Sequence, residues 1–338
     1  MPLSALATLT VAEPGWGDLR EVRVASVSAA WAVSRVTRLS AFVDARDAWL
    51  LGITDWLGLW VRWDHPTMGT WGGVVQDAAY DLGRGTLELG CASFLTLLSK
   101  RRTAKEYVQA SAPAGALVLR ALTDADNEAP LGFDSLSADE DGPLFQVSWR
   151  GEDLLRLTQR LASTADAEFD ATVDDDGAVA FAFRHRVGQD RRGDVALIEG
   201  YQIVDGSLTP SIANLVNDRL AVSADVDWQD AAAAIATDPD SILTYGRRQD
   251  TVRYQGYSTG PALYGRAKAD LVLASLPVAP ASIRVPDTEP QLLDVRQGDT
   301  IRVVSASSNA LWDFRVVGRS VDAETGVATL VGDATEAR

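Results

Sequence analysis

Through the first hundred residues, apolar positions recur with a period of two, the signature of strands buried on one face. EVRVASVS alternates through Val22 and Val24, with Val27 a further apolar position, and WAVSRVTRL follows with β-branched residues. In GLWVRW, Leu59, Val61 and Trp63 face one way, and Trp60 and Arg62 the other. DHPTMG, punctuated by Pro66 and Gly69, reads as a turn. TWGGVVQDAAYDL and GTLELGCAS read as two further strands joined by a hairpin at GRG. Short alternating strands at this spacing predict a barrel or a sandwich.

From about Ala104 to Val187 the period changes. SAPAGALVLRALTDAD predicts a helix, with Ser111 as a cap and Pro113 near the first turn. NEAPLGFDSLSADEDGP reads as a loop and LFQVSW as a strand. GEDLLRLTQRLAST predicts a helix: Leu154, Leu157 and Leu161 form one stripe, and Glu152 and Asp153 suit its positive N-terminus. AEFDATV, DDDG and AVAFAFRHRV together read as a hairpin. Strands then return. DVALIEGYQIVDGSLTPSIANLVNDRLAVSADV holds at least two, and DWQDAAAAIATDPDSIL reads as a mobile insertion. STGPALYGRAKADLVLASLP predicts a helix near 259–276, capped by Ser258 or Thr259 and closed by Pro277. Pro261 lies in its first turn, and Leu263, Ala267, Leu271 and Ala274 share one face. ASIRVP, DTIRVVSA and LWDFRVVGRSV read as strands, and DAETGVATLVGD as a turn and a last strand. The predicted fold class is mainly β with an α+β insertion, in blocks 1–103, 104–194 and 195–338.

Composition narrows the function. The 338 residues are 46% hydrophobic and 23% charged, enough for a sizeable core. No run approaches the roughly 18–20 apolar residues of a membrane span, and MPLSALATLTVAEPGW lacks the basic region of a secretory signal. The expectation is cytoplasmic synthesis with no membrane anchor. A net charge of −16 argues against sequence-independent nucleic-acid binding and fits a surface that must not hold phosphate. Only Lys100, Lys105 and Lys268 are lysines, so arginine carries the positive charge. Arginine suits two-point contacts at interfaces, although a G+C-rich genome would give the same bias.

Candidate chemistry is sparse. Cys91, the one cysteine, allows no intrachain disulfide and reads as a small buried residue at a strand end. His65 and His185 have no nucleophile motif beside them, and a zinc site would require both to converge with Cys91. The acidic clusters Asp124–Glu128 and Asp174–Gly177 lack the EF-hand pattern, and DDDG is more simply a hairpin turn. None of the 47 acids stands out as a glycosidase pair, and GRGTLELG has the wrong spacing for a phosphate loop. The reading is a non-enzyme without cofactor or metal. Five of the ten tryptophans fall between Trp49 and Trp71. Trp60 and Trp63 are three apart, so in a strand they point to opposite sides and make no flat sugar platform. Core packing or subunit contact is the favoured role.

The order of elements resembles the tail hub (baseplate hub) proteins of tailed bacteriophages, a kind of minor tail protein. LGLWVRW…GTWGGVVQDAAYDLGRGTLELGC is similar to the first hub barrel, and VSWRGEDLLRLTQRLASTADAEFDATVDDDGAVAF to the α+β insertion. IEGYQIVDGSLTPSIANLVNDRLAV resembles the segment whose I-x-N-x-V strand enters a second barrel. YGRRQDTVRYQGYSTGPALYGRAKADLVLASLPVAPASIRVP…LLDVRQGDTIRVV resembles the close: Tyr-Gly, helix, strand and x-G-D-x-I-x-V. The resemblance implies two tail-tube-like β-barrels in one chain, and a homotrimeric ring with six barrel positions under a sixfold tube. It implies as partners a distal tail protein or tail tube protein, a tail tip or central fibre protein and a tape measure protein. DNA would pass through the channel without specific binding, and the place of action would be the virion tail. Trp60, Arg62, Trp63 and Trp71 in the first block are the interface candidates, with Arg302, Trp312 and Arg315 in the second, each weighed against core packing. Alternative readings are a carbohydrate- or receptor-binding module of the tail tip, a distal tail protein, which usually has one barrel, and a cell-wall hydrolase.

Overall fold

In the computed structural model, residues 7–44, 46, 50–81, 83–174, 176–224, 229–254 and 259–336 are described. The first block forms strands β1 (Ala7–Glu13), β2 (Gly17–Ala32), β3 (Arg38–Asp44), β4 (Trp60–His65), β5 (Gly69–Asp81) and β6 (Thr86–Ser93). They pair in the order β1-β4-β5-β6-β3-β2, and β1 pairs again with β2, so the six strands close into a barrel. Leu9, Val22, Leu39, Val61, Trp63, Leu87 and Leu89 fill it. A bulge in β2 opposite β3 makes Ala25 an extra residue between Val24 and Ser26. It shifts the inward phase by one, so Val27 is buried with Val22 and Val24. The GRG hairpin closes with the Gly85 amide donating to the Asp81 carbonyl.

The α+β block holds α1 (Thr96–Ser99), β7 (Tyr107–Pro113), α2 (Ala114–Glu128), β8 (Ser135–Ala138), β9 (Leu144–Trp149), α3 (Leu154–Ala165), β10 (Glu168–Val173) and β11 (Val179–Arg184). Leu117, Leu122, Phe145, Leu154, Leu157, Leu161, Phe169 and Phe181 share its core. Asp153 caps α3 by accepting from the Arg156 amide at 2.8 Å. The expected start of the first helix shifts. Ser111 and Pro113 belong to β7, because pairing with β9 extends the chain up to Pro113, which precedes Ala114 without a side-chain cap. The expected loop around residue 135 contains β8, which runs parallel to β11. Its order comes from that long-range ladder and from the Asp134 carboxylate, which accepts from the Val179 amide at 2.7 Å.

The last block begins with β12 (Ala196–Ile198) and β13 (Asp205–Leu208). It then leaves the main sheet for β14 (Asp218–Ser223), β15 (Ala233–Thr237), α4 (Pro239–Tyr245), β16 (Gln249–Tyr254) and α5 (Gly260–Ala274). These form a three-stranded sheet, β15-β14-β16, whose core includes Ala221, Ala236, Leu263, Ala267 and Leu271. Two expectations are corrected here. The segment read as a mobile insertion supplies β15 and the Asp238-capped α4, apart from residues 225–228, which lie outside the described residues. The I-x-N-x-V segment (212–216) is turn and coil leading into β14 of this separate sheet, not a barrel strand; the Asn217 side chain anchors it by donating to the Gly246 carbonyl and accepting from the Arg248 amide. Of the helix caps, Ser258 lies outside the described residues, and the Thr259 carbonyl accepts from the Leu263 amide.

The chain returns as β17 (Val278–Pro286), β18 (Thr300–Ser305), β19 (Ala310–Asp322) and β20 (Val327–Glu336). Six strands run in the order β12-β18-β19-β20-β17-β13. The chain around the two end strands meets at an isolated Glu199–Ile203 bridge, so this second set lacks the full closing ladder of the first. Gly318–Asp322 of β19 pairs with Ser28–Ala32 of β2 and joins both sets into one twelve-stranded sheet with a continuous core.

Candidate assembly site at the barrel junction

The junction is built around an arginine that a bulge turns inward. In β19, Trp312, Phe314 and Val316 are buried in alternation. Val317 is an extra residue opposite β20, and beyond it the buried positions are Arg319 and Val321. Arg319 is only 3% exposed. One terminal nitrogen donates to the Met68 carbonyl and to Gln297 Oε1, both at 3.1 Å, and the other to the Val295 carbonyl. Its guanidinium lies 5.3 Å from the centre of the Trp31 ring.

Gln297 passes the contact on. Its Nε2 donates to Asp170 Oδ2 at 2.6 Å, and Asp170 Oδ1 accepts from the Ala171 amide at 2.8 Å. The relay thus runs from the first-barrel turn at Met68, through β19 and the loop before β18, to β10 of the α+β block. Trp31 and Trp71 lock the same seam: their indole N–H groups donate to the Thr70 and Ala30 carbonyls at 3.1 and 3.0 Å. A cavity of about 40 Å³ beside the relay is lined by Trp31, Thr70, Trp71, Asp170 and Gln297. Burial pushes the Asp170 carboxyl up to about 6. Burial, with Arg296 adding to it, lowers Arg319 to about 9. Both charges are costly to bury; the Asp170 carboxylate accepts two hydrogen bonds and the two terminal nitrogens of Arg319 donate three, while its Nε has no hydrogen-bond partner among the described residues.

His65 shapes the turn that presents Met68. Its Nδ1 accepts from the Thr67 and Met68 amides at 3.2 and 3.1 Å, and its Nε2 lies 3.7 Å from Asp287 Oδ2. The Thr67 hydroxyl donates to the Asp287 carbonyl, and Arg296 also reaches the Met68 carbonyl, at 3.4 Å. Burial lowers the His65 pKa, opposed by Asp287 and reinforced by Arg319.

The interface candidates do not gather into one site. Trp63 and Trp71 pair across β4 and β5 inside the first barrel, and Trp63 stacks on Trp31 with ring centres 6.2 Å apart. Trp60 points the other way and packs against Phe94, Trp16, Val173 and Val179, beneath the α+β block. Trp56 and Trp312 are buried as well, and Trp49 lies outside the described residues. The four candidate tryptophans, at 2–7% exposure, have their surface covered within the chain itself. Arg62 pairs with Asp64 at 3.0 Å. Arg302 pairs with Asp313 at 3.2 Å, on the face opposite the buried Val303 and Trp312. Arg315 donates to Glu168 at 2.7 Å and ties β19 to β10. Sequence reasoning missed Arg319, Gln297 and Asp170. One signal was available: Val321 is out of phase with Trp312, Phe314 and Val316, and Arg319 shares its phase.

The remaining chemistry-bearing residues are dispersed. Cys91 is buried in the barrel, and burial with nearby Asp77 pushes its thiol up to about 12. His185 pairs with exposed Asp141 at 2.9 Å, and Asp124 is engaged by Lys105 and Tyr107. Between β10 and β11, Asp174 Oδ1 accepts from the Asp176 and Ala178 amides, as in a turn; residue 175 lies outside the described residues. Among the described residues no three His, Cys, Asp or Glu side chains converge as metal ligands, and no helix is long and apolar enough to cross a membrane.

No family model and no curated protein matches the sequence. Solved structures do match the fold. A tail protein from Neisseria meningitidis MC58 superposes with a TM-score of 0.64 at 13% identity, over 98% of this chain and 96% of that one. Prophage tail protein gp18 from Listeria monocytogenes EGD-e gives 0.63 at 14% identity, over 96% and 94%. The E. coli c3393 protein, a type VI secretion component described as similar to the T4 phage tail proteins gp27 and gp5, gives 0.54 at 14% identity, over 94% and 74%. A closed six-strand barrel, a second six-strand set fused to it and an α+β block between them, matched along nearly the whole length, give this chain the fold of phage tail proteins.

Proposed function

We propose that the chain is a structural tail hub protein of a tailed bacteriophage, three copies of which form a ring that joins the tail tube to the tail tip and lines the DNA channel. The observation that carries this reading is the fusion of two six-strand sets edge to edge in one sheet. Three copies of such a pair provide six positions, the number a sixfold tube requires. A net charge of −16 suits a passage that DNA must traverse without sticking. Neighbours in this reading are a distal tail or tube protein on one side and a tip or central fibre protein on the other, with the tape measure protein inside. Made in the host cytoplasm, the chain acts in the virion tail, with 1–103 and 195–338 as barrel units and 104–194 decorating them. Arg302, with 35% of its side chain exposed, is the candidate best placed to meet another subunit; Arg62 and Arg315 expose 18% each.

Solution mass tests the ring. Light scattering over a wide concentration range should give three times the chain mass for the chain alone, or complexes that hold three copies of it with co-expressed tail proteins. A monomer under every one of these conditions would overturn the ring. The carbohydrate-binding alternative loses its motivating feature, because the described tryptophans of that cluster are buried.

A further inference from the structure

We infer that His65 is an acid-sensitive latch between the two barrels: protonation of its ring undoes the turn that delivers the Met68 carbonyl to the arginines of the second barrel. The geometry fixes the proton. Nδ1 faces two backbone N–H donors, Thr67 and Met68, so it must present a lone pair. The ring is therefore the neutral tautomer with its hydrogen on Nε2, aimed at Asp287. An imidazolium carries hydrogen on both nitrogens. Its Nδ1–H would then meet the two amide donors and find an acceptor only in the Thr67 hydroxyl, 3.3 Å away, so the turn would lose both backbone hydrogen bonds.

The turn matters because of what it holds. The Met68 carbonyl accepts from Arg319 on β19 and from Arg296 on the loop before β18. Four charged groups from the surrounding elements bear on the ring. Asp287, after β17, favours the charged form, while Arg319 on β19 opposes it. Arg296 meets the same turn, and its own amide is held by Asp299. Asp64, next to His65 on β4, is already engaged by Arg62 and Thr70. Trp63 covers the ring with its centre 5.2 Å away, which limits access of water. The direction agrees with the contacts: the folded pKa lies below the ordinary 6.5, so the unfolded chain takes up the proton first. The latch's contribution is whole above pH 6.5 and is lost as pH falls through the folded value. Asp170 acts in the opposite sense across an overlapping range, so a bulk melting curve would mix the two.

The test reads the turn itself in the full-length chain. Amide hydrogen exchange at Thr67 and Met68, and across 317–321, is measured between pH 7 and pH 5 and corrected for the intrinsic rate. It is compared with His65→Asn, whose Oδ1 sits where Nδ1 sits, accepts the same two amides and does not titrate. The wild type should lose protection by up to roughly tenfold for each pH unit between 6.5 and the folded pKa and level off below it, and the variant should not. An equal pH response in both proteins overturns the latch. Should the variant fail to fold, ring NMR of His185→Asn, which leaves His65 as the single histidine, decides instead. The Met68 amide should shift with the His65 titration, and a Met68 signal that ignores it overturns the proposal.

Discussion

Arg319 shows how one side chain can hold three parts of a chain together. Replacing it by methionine fills similar volume but leaves the Val295 carbonyl and Gln297 Oε1 without this donor, and the Met68 carbonyl with only the longer contact from Arg296. Arg319→Met should cost about 3–5 kcal/mol, read as a lower urea midpoint with unchanged slope. Asp170 makes a pH prediction. Its carboxyl rises from an ordinary 3.8 to about 6, so the folded chain binds a proton that the unfolded chain has lost. Its contribution is complete below pH 3.8 and is lost as pH rises through 6. Asp170→Asn should remove that fall while giving up one of two hydrogen bonds, because a single amide oxygen cannot serve both Gln297 and the Ala171 amide. The difference between variant and wild-type denaturant midpoints from pH 4 to 7 isolates this fall from the opposing response of His65.

At the scale of elements, the close approach of strands sets the tolerance to change. A Cβ on Gly73 would lie 2.2 Å from the Ala92 carbonyl oxygen, and that oxygen belongs to the β5–β6 ladder and cannot swing away. Gly73→Ala should therefore destabilise by about 1–3 kcal/mol, measured by thermal and urea unfolding. What was legible in the sequence follows the range of the interactions. Hairpins at GRG and DDDG and the capped helix α3 are local in origin, and their residues announce them. Strand β8 is short and polar, and β11, far along the chain, orders it; β15 is alanine-rich, so its pairing with neighbouring β14 leaves little apolar alternation in the sequence. The I-x-N-x-V segment has the composition of a strand, but its backbone bonds go elsewhere: the Leu215 amide donates to the Ile212 carbonyl, the Val216 amide donates to the Ala274 carbonyl, and Arg248 reaches the Ile212 carbonyl. Bulges hide the rest: in β2 and β19 one extra residue changes which side faces in, and the buried arginine follows from that shift.

For the whole molecule, strand alternation places Trp60 and Trp63 on opposite faces of β4. Both rings are buried, one in the barrel and one beneath the α+β block, so the cluster serves cohesion between units. In the proposed hub, contacts between copies would fall to partly exposed arginines and loops rather than to these rings. Stoichiometry by light scattering and His65 exchange by NMR test the ring and the latch separately, and either can fail alone.

The two strand sets are joined by five cross-strand residue pairs, Gly318–Asp322 on Ser28–Ala32, and not by a linker. Mechanically this is a lap joint. Tension along the strands loads its rungs together, in shear, whereas a force across them would open the rungs one at a time. A pull or twist applied to one strand set is thus handed to the other without slack, and the direction of loading decides how much the joint withstands.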